Sequence, residues 1–296
     1  MDKLRLLSRI SKLYQEKTNI IQYLKGIDGR EHNSVEDILI SYDFQAGTYI
    51  QKYLENPEFT KEYCFYLANI INSLCEFNSL LEVGVGEGTT LGPLLKSLTQ
   101  QPKKCYGFDI SWSRVKYAKR FLDGLNLNDV ELFTADLFCT PLRDNSIDIV
   151  YTSHSIEPNG GREEEALIEL YRITKKYLIL LEPSYEFANE EARARILSQG
   201  YITNLYTTAR RLGYKVIEHR LFEVSSNALN PTGIMIIEKD INSEELNPLC
   251  CPITKTEIQK SYNAYFSKES LLAYPVIGDI PCLLSQNAIV ATRFLD

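Results

Sequence analysis

Four acids, a histidine and a run of glycines carry the chemical interest of this sequence. In LEVGVGEGTT, Leu81 to Thr90, glycines stand at 84, 86 and 88, directly after an apolar run and Glu82. Asp109 closes the apolar run KCYGFDI, and Asp136 closes VELFTAD. His154 and Glu157 follow IDIVY in the segment Thr152-Ser153-His154-Ser155-Ile156-Glu157-Pro158. Glycines at such spacing allow a tight turn at positive φ that brings a ligand against the backbone. At the start of a helix that turn suits a polar or anionic nucleotide-like ligand. A phosphate would be repelled by Glu82, two positions before Gly84, whereas a ligand bearing an ammonium would be attracted. The spacing Gly84-x-Gly86-x-Gly88 also differs from the G-x-G-x-x-G of dinucleotide sites, and no Gly-Lys-Ser/Thr of a phosphate loop follows. Asp109 is placed to accept from both hydroxyls of a ribose, and Asp136 from an adenine amine. Either aspartate alone would also serve as a helix N-cap. Acids at three consecutive strand ends instead mark the carboxyl edge where open α/β sheets bind ligands.

These residues need strands and helices in alternation to hold them. SLLEVG, KCYGFDI, VELFTAD, IDIVYTS, YLILLEP, YKVIEHRLFE and GIMIIEKD read as strands. Helical spacing runs through Leu91–Thr99, Ser113–Leu125, Arg162–Lys176 and the Glu190–Leu212 region. Such alternation predicts a parallel sheet covered on both faces. The last two strands are joined by SSNALNPT, too short for a helical crossover, and are therefore predicted to be antiparallel neighbours. Residues 1–75 read as a helical cap and 76–240 as the α/β domain. After the linker INSEELNP, residues from Ile241 to 296 read as a small β-rich module.

Composition narrows the classes of function. The 296 residues carry 32 basic and 39 acidic side chains, a net charge of −7, which argues against broad nucleic-acid binding. The seven cysteines, odd in number and mostly in apolar surroundings, read as reduced thiols of a cytoplasmic protein. No apolar run is long enough for a membrane span. Near the N-terminus Leu6, Ile10, Leu13, Ile21 and Leu24 recur at helical spacing opposite a Lys- and Arg-rich face. That helix is expected to pack on its own domain, and its basic face is a candidate surface for pairing with a second copy.

The series Glu82-x-Gly84-x-Gly86-x-Gly88, Asp109, Asp136-Leu137, IDIVYTSHSIEP and YLILLEP resembles the class I S-adenosylmethionine-dependent methyltransferases over residues 78–240. The resemblance implies a Rossmann-like, mostly parallel seven-stranded sheet with an antiparallel last strand. It also implies S-adenosylmethionine as methyl donor and S-adenosylhomocysteine as product. Glu82 and Gly84, Gly86 and Gly88 would then lie at the methionine and ribose part, and Asp109 would hold the ribose hydroxyls. Ile110 and Ser111 would lie beside the adenine, Asp136 and Leu137 at its edge, and Ser153 against the methyl-bearing end. The segment after the fourth strand lacks the Asn/Asp-Pro-Pro-aromatic motif of the amide and adenine-amine methyltransferases. His154 and Glu157 are instead candidate bases for a hydroxyl acceptor, since a group titrating near neutrality suits that proton transfer.

Two further segments bear on the acceptor. Tyr42, Phe44, Tyr49 and Tyr53 form an aromatic stretch suited to cover a sulfonium. The insert EFANEEARARILSQGYITNLYTTARRLG is a second candidate wall. The C-terminal module resembles the small zinc-ribbon-like activators of tRNA, rRNA and release-factor methyltransferases, through Leu249-Cys250-Cys251-Pro252 and the run from Tyr274 to Leu284. Thr254 stands where a second metal cysteine would be and no later pair follows, so no metal is expected. The leading expectation is O-methylation of a small molecule such as a sugar or specialised metabolite. A translation-apparatus methyltransferase with its activator fused in cis, or a cofactor-binding scaffold without catalysis, are the alternatives.

Overall fold

The computed structural model describes residues 3–239, 241 and 247–296, so most of the expected linker lies outside the described residues. Five helices precede the sheet: α1 (Leu7–Gln15), α2 (Ile20–Asp28), α3 (Val35–Phe44), α4 (Thr48–Glu55) and α5 (Pro57–Leu74). The N-terminal amphipathic stretch is two helices rather than one, because the chain turns at Lys17 with φ 60°. Asn19 caps α2, and Ser34 with Asp37 forms a capping box on α3. Ile10, Ile20, Leu24 and Ile40 make a small core of their own. Lys3 is buried against it, pairing with Asp28 at 2.6 Å and with Asp37.

The sheet contains β1 (Ser79–Val83), β2 (Lys104–Asp109), β3 (Val130–Thr134), β4 (Ile147–Ser153), β5 (Thr174–Pro183), β6 (Lys215–Leu221) and β7 (Thr232–Glu238). Its order is β3-β2-β1-β4-β5-β7-β6. The first five strands pair in parallel, while β7 is antiparallel to both β5 and β6. Helices α6 (Leu91–Ser97), α7 (Trp112–Gly124), α8 (Glu163–Ile173), α9 (Glu190–Gln199) and α10 (Leu205–Arg211) supply the connections. Strands covered on both faces must be apolar at every position. Accordingly Leu81, Val150 and Leu178 enter one core and their neighbours Leu80, Ile149 and Ile179 the other.

Two helical readings change. The Glu190–Leu212 region is broken into α9 and α10, because Gly200 ends α9 in the left-handed conformation at φ +70°. The Arg162–Lys176 pattern stops at Ile173, and Thr174 to Lys176 already belong to β5.

The C-terminal module is an antiparallel sheet of β8 (Gln259–Ser261), β9 (Ala264–Ser267), β10 (Leu272–Ile277), β11 (Ile280–Pro281) and β12 (Ile289–Val290). It docks on the β3 edge. Cys282 bridges Thr134 in parallel, and the Leu283 amide donates to the Thr134 carbonyl at 3.0 Å. Leu249 bridges Leu142, and the Lys255 ammonium donates to the Thr140 carbonyl at 2.7 Å. Leu249, Cys251, Ile258, Tyr274 and Leu283 belong to the same buried cluster as Leu81 and Phe133. The sheet edge that would otherwise carry unpaired backbone groups is thereby covered.

Candidate active site

Where β1, β2 and β3 end, the chain forms a cavity floored by Gly84, Asp109, Ile110, Asp136, Leu137 and Phe138. Its roof is α3, through Val35, Ile38 and Tyr42. The glycine turn keeps left-handed φ of 68°, 54° and 74° at residues 84, 86 and 88. A Cβ on Gly84 would stand 2.2 Å from the Ser155 Cβ, so no side chain is admissible there. Asp109 accepts from the Gly86 amide at 3.0 Å and from the Ser111 amide at 2.9 Å. Burial raises its pKa, partly offset by the charge of Arg114 and by those two amides. Asp136 accepts from the Phe138 amide at 2.9 Å, and burial raises its pKa as well. The acids, with Ile110, Leu137 and Phe138 beside them, fit a nucleoside: carboxylates for hydroxyls and an amine, apolar faces for a base. Beneath α3 the free interior is only ≈ 80 Å³.

Not every expected residue lies on this cavity. Glu82 turns away from it, and its buried carboxylate accepts from the Tyr151 hydroxyl at 2.8 Å beneath the turn. A strand side chain two positions before the turn points into the sheet's flanking core, and Glu82 accordingly lies off the cavity's lining. Burial pushes its pKa up to about 8. Gly86 and Gly88 shape the turn without lining the cavity. Ser111 is fully buried, caps α7 through the Arg114 amide at 3.1 Å and donates to Asp43 at 2.6 Å. Ser153 faces a second cavity, where its hydroxyl pairs with the Tyr63 hydroxyl at 3.0 Å.

That second cavity is an open cleft of ≈ 470 Å³. One wall is aromatic: Tyr49, Tyr53, Phe59 and Tyr63 from α4 and α5. The other is amide and hydroxyl: Ser226, Asn227 and Asn230 from the β6–β7 connection and Thr232 at the start of β7. His154 lines both cavities, and among the described lining residues it alone does so. Its φ of 55° is left-handed, a costly conformation for a residue with a Cβ and one met where a side chain is held for function. Its Nδ1 lies 2.6 Å from Glu157 Oε2, and its Nε2 lies 2.9 Å from Thr232 Oγ1. Asn230 donates to the other oxygen of Glu157 at 3.1 Å. Burial pulls the imidazole pKa down, but the hydrogen bond and charge of Glu157 and the charge of Glu182 more than offset it, and the net shift is upward.

Glu182 has no place in the sequence reading, yet it organises this loop. At the end of β5, its carboxylate accepts from the amides of Ser155 and Ile156 at 3.1 Å and of Glu157 at 3.0 Å. Burial pushes its pKa up to about 7. The available signal was its position, a lone acid closing an apolar strand as Asp109 and Asp136 do. The β6–β7 connection carried no signal beyond its length. The aromatic stretch divides: Tyr42 roofs the first cavity, Tyr49 and Tyr53 line the cleft, and Phe44 packs on Tyr14 in the cap. The insert that forms α9 and α10 lines neither cavity; it packs behind the loop, the Ile202 amide donating to the Glu157 carbonyl at 3.1 Å.

Residues 81–180 match the family model of a methyltransferase domain. No curated protein matches the chain. Among solved structures, one chain of a complex between the Trm112 methyltransferase activator of Haloferax volcanii and a protein assigned as a methyltransferase is similar in fold. It is 17% identical with a TM-score of 0.52, over 67% of this chain and 96% of that one. A SAM-dependent methyltransferase from Aquifex aeolicus is 22% identical, over 63% and 95% of the two chains, with a TM-score of 0.47. Magnesium protoporphyrin IX methyltransferase from Synechocystis PCC 6803, solved with bound SAH, is 16% identical over 61% and 82%, with a TM-score of 0.47.

Proposed function

We propose that this chain is an S-adenosylmethionine-dependent methyltransferase acting on a hydroxyl of a small molecule. The methyltransferase domain over residues 81–180 supports the reaction class, and S-adenosylmethionine is the cofactor of that domain. Asp109 would hold its ribose, with Ile110, Asp136 and Leu137 around its adenine. When bound, the cofactor supplies an electrophilic methyl group on a sulfonium. The acceptor enters the cleft between the rings of α4 and α5 and the amides of the β6–β7 connection.

The observation that carries this reading is His154 at the junction of the two cavities, held at both nitrogens. With Glu157 ionised, Nδ1 keeps its proton toward the carboxylate, and Nε2 is the acceptor that faces the Thr232 hydroxyl. An acceptor hydroxyl in the place of Thr232 would give its proton to Nε2 as its oxygen attacks. Glu157 would stabilise the imidazolium so formed. Among the described residues lining the cleft, Glu157 is the one carboxylate and is already paired, and this disfavours a cationic acceptor.

The module docked on the β3 edge favours a second reading, a translation-apparatus methyltransferase carrying its activator in cis. Its resemblance to the small activators and the Haloferax volcanii pairing support a supporting role for the module in either case. The net charge of −7 and the missing Asn-Pro-Pro-aromatic motif weigh against an RNA or glutamine-amide acceptor. Incubation with methyl-labelled S-adenosylmethionine and either metabolite or RNA fractions separates the readings. Label in small molecules is expected; label in RNA would establish the second reading, and tight cofactor binding without transfer to either would leave a scaffold.

A further inference from the structure

Arg114 is buried in the first turn of α7 and lines the cofactor cavity, yet its Nε has no hydrogen-bond partner. A buried donor left unpaired is costly, and such a group at a cavity wall points to a ligand. The guanidinium lies over two rings of the cap, 4.9 Å from the centre of Tyr42 and 4.3 Å from that of Tyr49. Glu87, the acid 4.0 Å from Nε, is already engaged by the amides of Gly47 and Ile50 at 2.9 and 2.8 Å. Asp109 stands on the same cavity wall, and its charge acts on Arg114.

We infer that Arg114 reads the cofactor's ribose diol opposite Asp109 and, through its stack on Tyr49, couples that site to the acceptor cleft. The inference rests on the cofactor reading above. An acid and a guanidinium side by side form a nearly neutral pair that accepts and donates at once. A vicinal diol does both and matches it, whereas a lone carboxylate such as the amino-acid tail would meet repulsion from Asp109. Tyr42 roofs the cofactor cavity from α3, while Tyr49, from α4, lines the cleft and has no place on the cofactor cavity. A guanidinium fixed by the diol therefore holds both rings by their faces and draws α3 and α4 down together. Cofactor binding would in this way complete the aromatic wall that the acceptor meets.

The test is calorimetry on the full chain with three probes: S-adenosylhomocysteine, methylthioadenosine, which lacks the amino-acid tail, and the dideoxyribose analogue of the latter. Arg114→Met should weaken the first two alike, by about tenfold to a hundredfold, and the dideoxy analogue by less than about threefold. Tyr49→Ala should weaken S-adenosylhomocysteine by about three- to tenfold although it touches only the other cavity, and Tyr49→Phe should restore it. A penalty with S-adenosylhomocysteine but not methylthioadenosine would assign Arg114 to the tail and overturn the inference. An equal penalty on the dideoxy analogue would do the same, and unchanged affinity in Tyr49→Ala would break the coupling. If Arg114→Met does not fold, Arg114→Lys keeps the charge without the planar fork and must give the same ranking of probes. Failure of the wild-type chain to bind S-adenosylhomocysteine would instead remove the cofactor reading itself.

Discussion

The cavity proposed to hold the cofactor takes its floor from the ends of β1, β2 and β3, which follow one another in the chain and lie side by side. The cleft that meets it at His154 takes one wall from α4 and α5 and the other from the β6–β7 connection, segments brought together only by the finished fold. Local order builds the first site: β2 and β3 each deliver one acid at the carboxyl edge, and the glycine turn after β1 makes room. The second depends on how the cap is docked: α5 packs into the sheet's core through Tyr63, Cys64, Leu67, Ala68 and Ile71, while polar contacts tie α3 and α4 to the floor. Asp43 at the end of α3 accepts from Ser111 and Ser113 of α7, and Glu87 in the glycine turn accepts from the amides that open α4. On the reading proposed above, binding the cofactor and choosing an acceptor fall to different parts of the fold, and changes to α3 and α4 should alter the acceptor while leaving the floor in place.

The largest effect should come from the element that underpins the cofactor floor. Removing residues 247–296 strips the cover from the β3 edge, where Leu249, Cys251, Ile258, Tyr274 and Leu283 are buried with Phe133 and Leu142. Leu249, Ile258 and Leu283 each contribute about 1.5–3 kcal/mol, against a total stability of about 5–15 kcal/mol. The truncated chain is expected to be insoluble, or to melt far lower and lose cofactor binding. A soluble truncation with unchanged melting and S-adenosylhomocysteine affinity would show that the floor stands without the module.

His154→Ala separates the two cavities most directly. Loss of a general base lowers turnover by about 10²–10⁴-fold, while cofactor affinity should change little, because the floor is intact. The pH profile adds a sign. The base works unprotonated and its pKa is raised above the ordinary 6.5, so turnover should climb with pH through a midpoint above that value. Glu157→Gln removes the hydrogen bond and charge that raise it, and the midpoint should move to lower pH. A profile insensitive to both variants would leave His154 as pocket lining. Asp109→Ala should do the reverse, weakening S-adenosylhomocysteine by about tenfold to a hundredfold through two lost charge-assisted hydrogen bonds. Calorimetry giving wild-type affinity in a folded Asp109→Ala chain would end its role at the ribose.

The same contrast explains what could be read in advance. Strand–turn–helix order, the antiparallel last pair, and Asp109 and Asp136 on the cavity floor follow from apolar runs, from glycines within a few residues of one another and from the short last connection. The cleft was only partly legible: Tyr49 and Tyr53 stood out as an aromatic stretch, but Asn230 and Thr232 carry no local pattern. Their part comes from reaching Glu157 and His154 across the fold. Glu182 was hidden for a related reason, since the amides it accepts from belong to a loop more than twenty residues earlier. Glu82 was legible as an important residue and not as to which way it points, because strand alternation alone does not say which face of the sheet lies under the turn.

Glu82 gives the smallest and most discriminating test, since it separates support of the turn from contact with the ligand. Its carboxylate is buried, accepts from the Tyr151 hydroxyl, and has its pKa pushed up to about 8 by burial. The folded chain therefore holds a proton there that the unfolded chain releases near the ordinary carboxylate value of 4.5. This contribution to stability is complete below that ordinary value and is lost as pH rises through about 8. Glu182, raised to about 7, adds a slope of the same sign that ends sooner. Glu82→Gln keeps an oxygen for the Tyr151 hydroxyl and cannot ionise, so the variant should gain on the wild type as pH rises. The gain is at most about 1.4 kcal/mol per pH unit and stops near the upper pKa. Urea unfolding of both proteins at several pH values between 5 and 9 measures the difference directly and leaves the shared Glu182 slope out of it. Parallel pH profiles would mean that Glu82 is ionised in the fold at neutral pH. In the same variant S-adenosylhomocysteine affinity should stay within about threefold of wild type, because only second-order changes in the turn remain. A larger loss would put the carboxylate back in contact with the ligand.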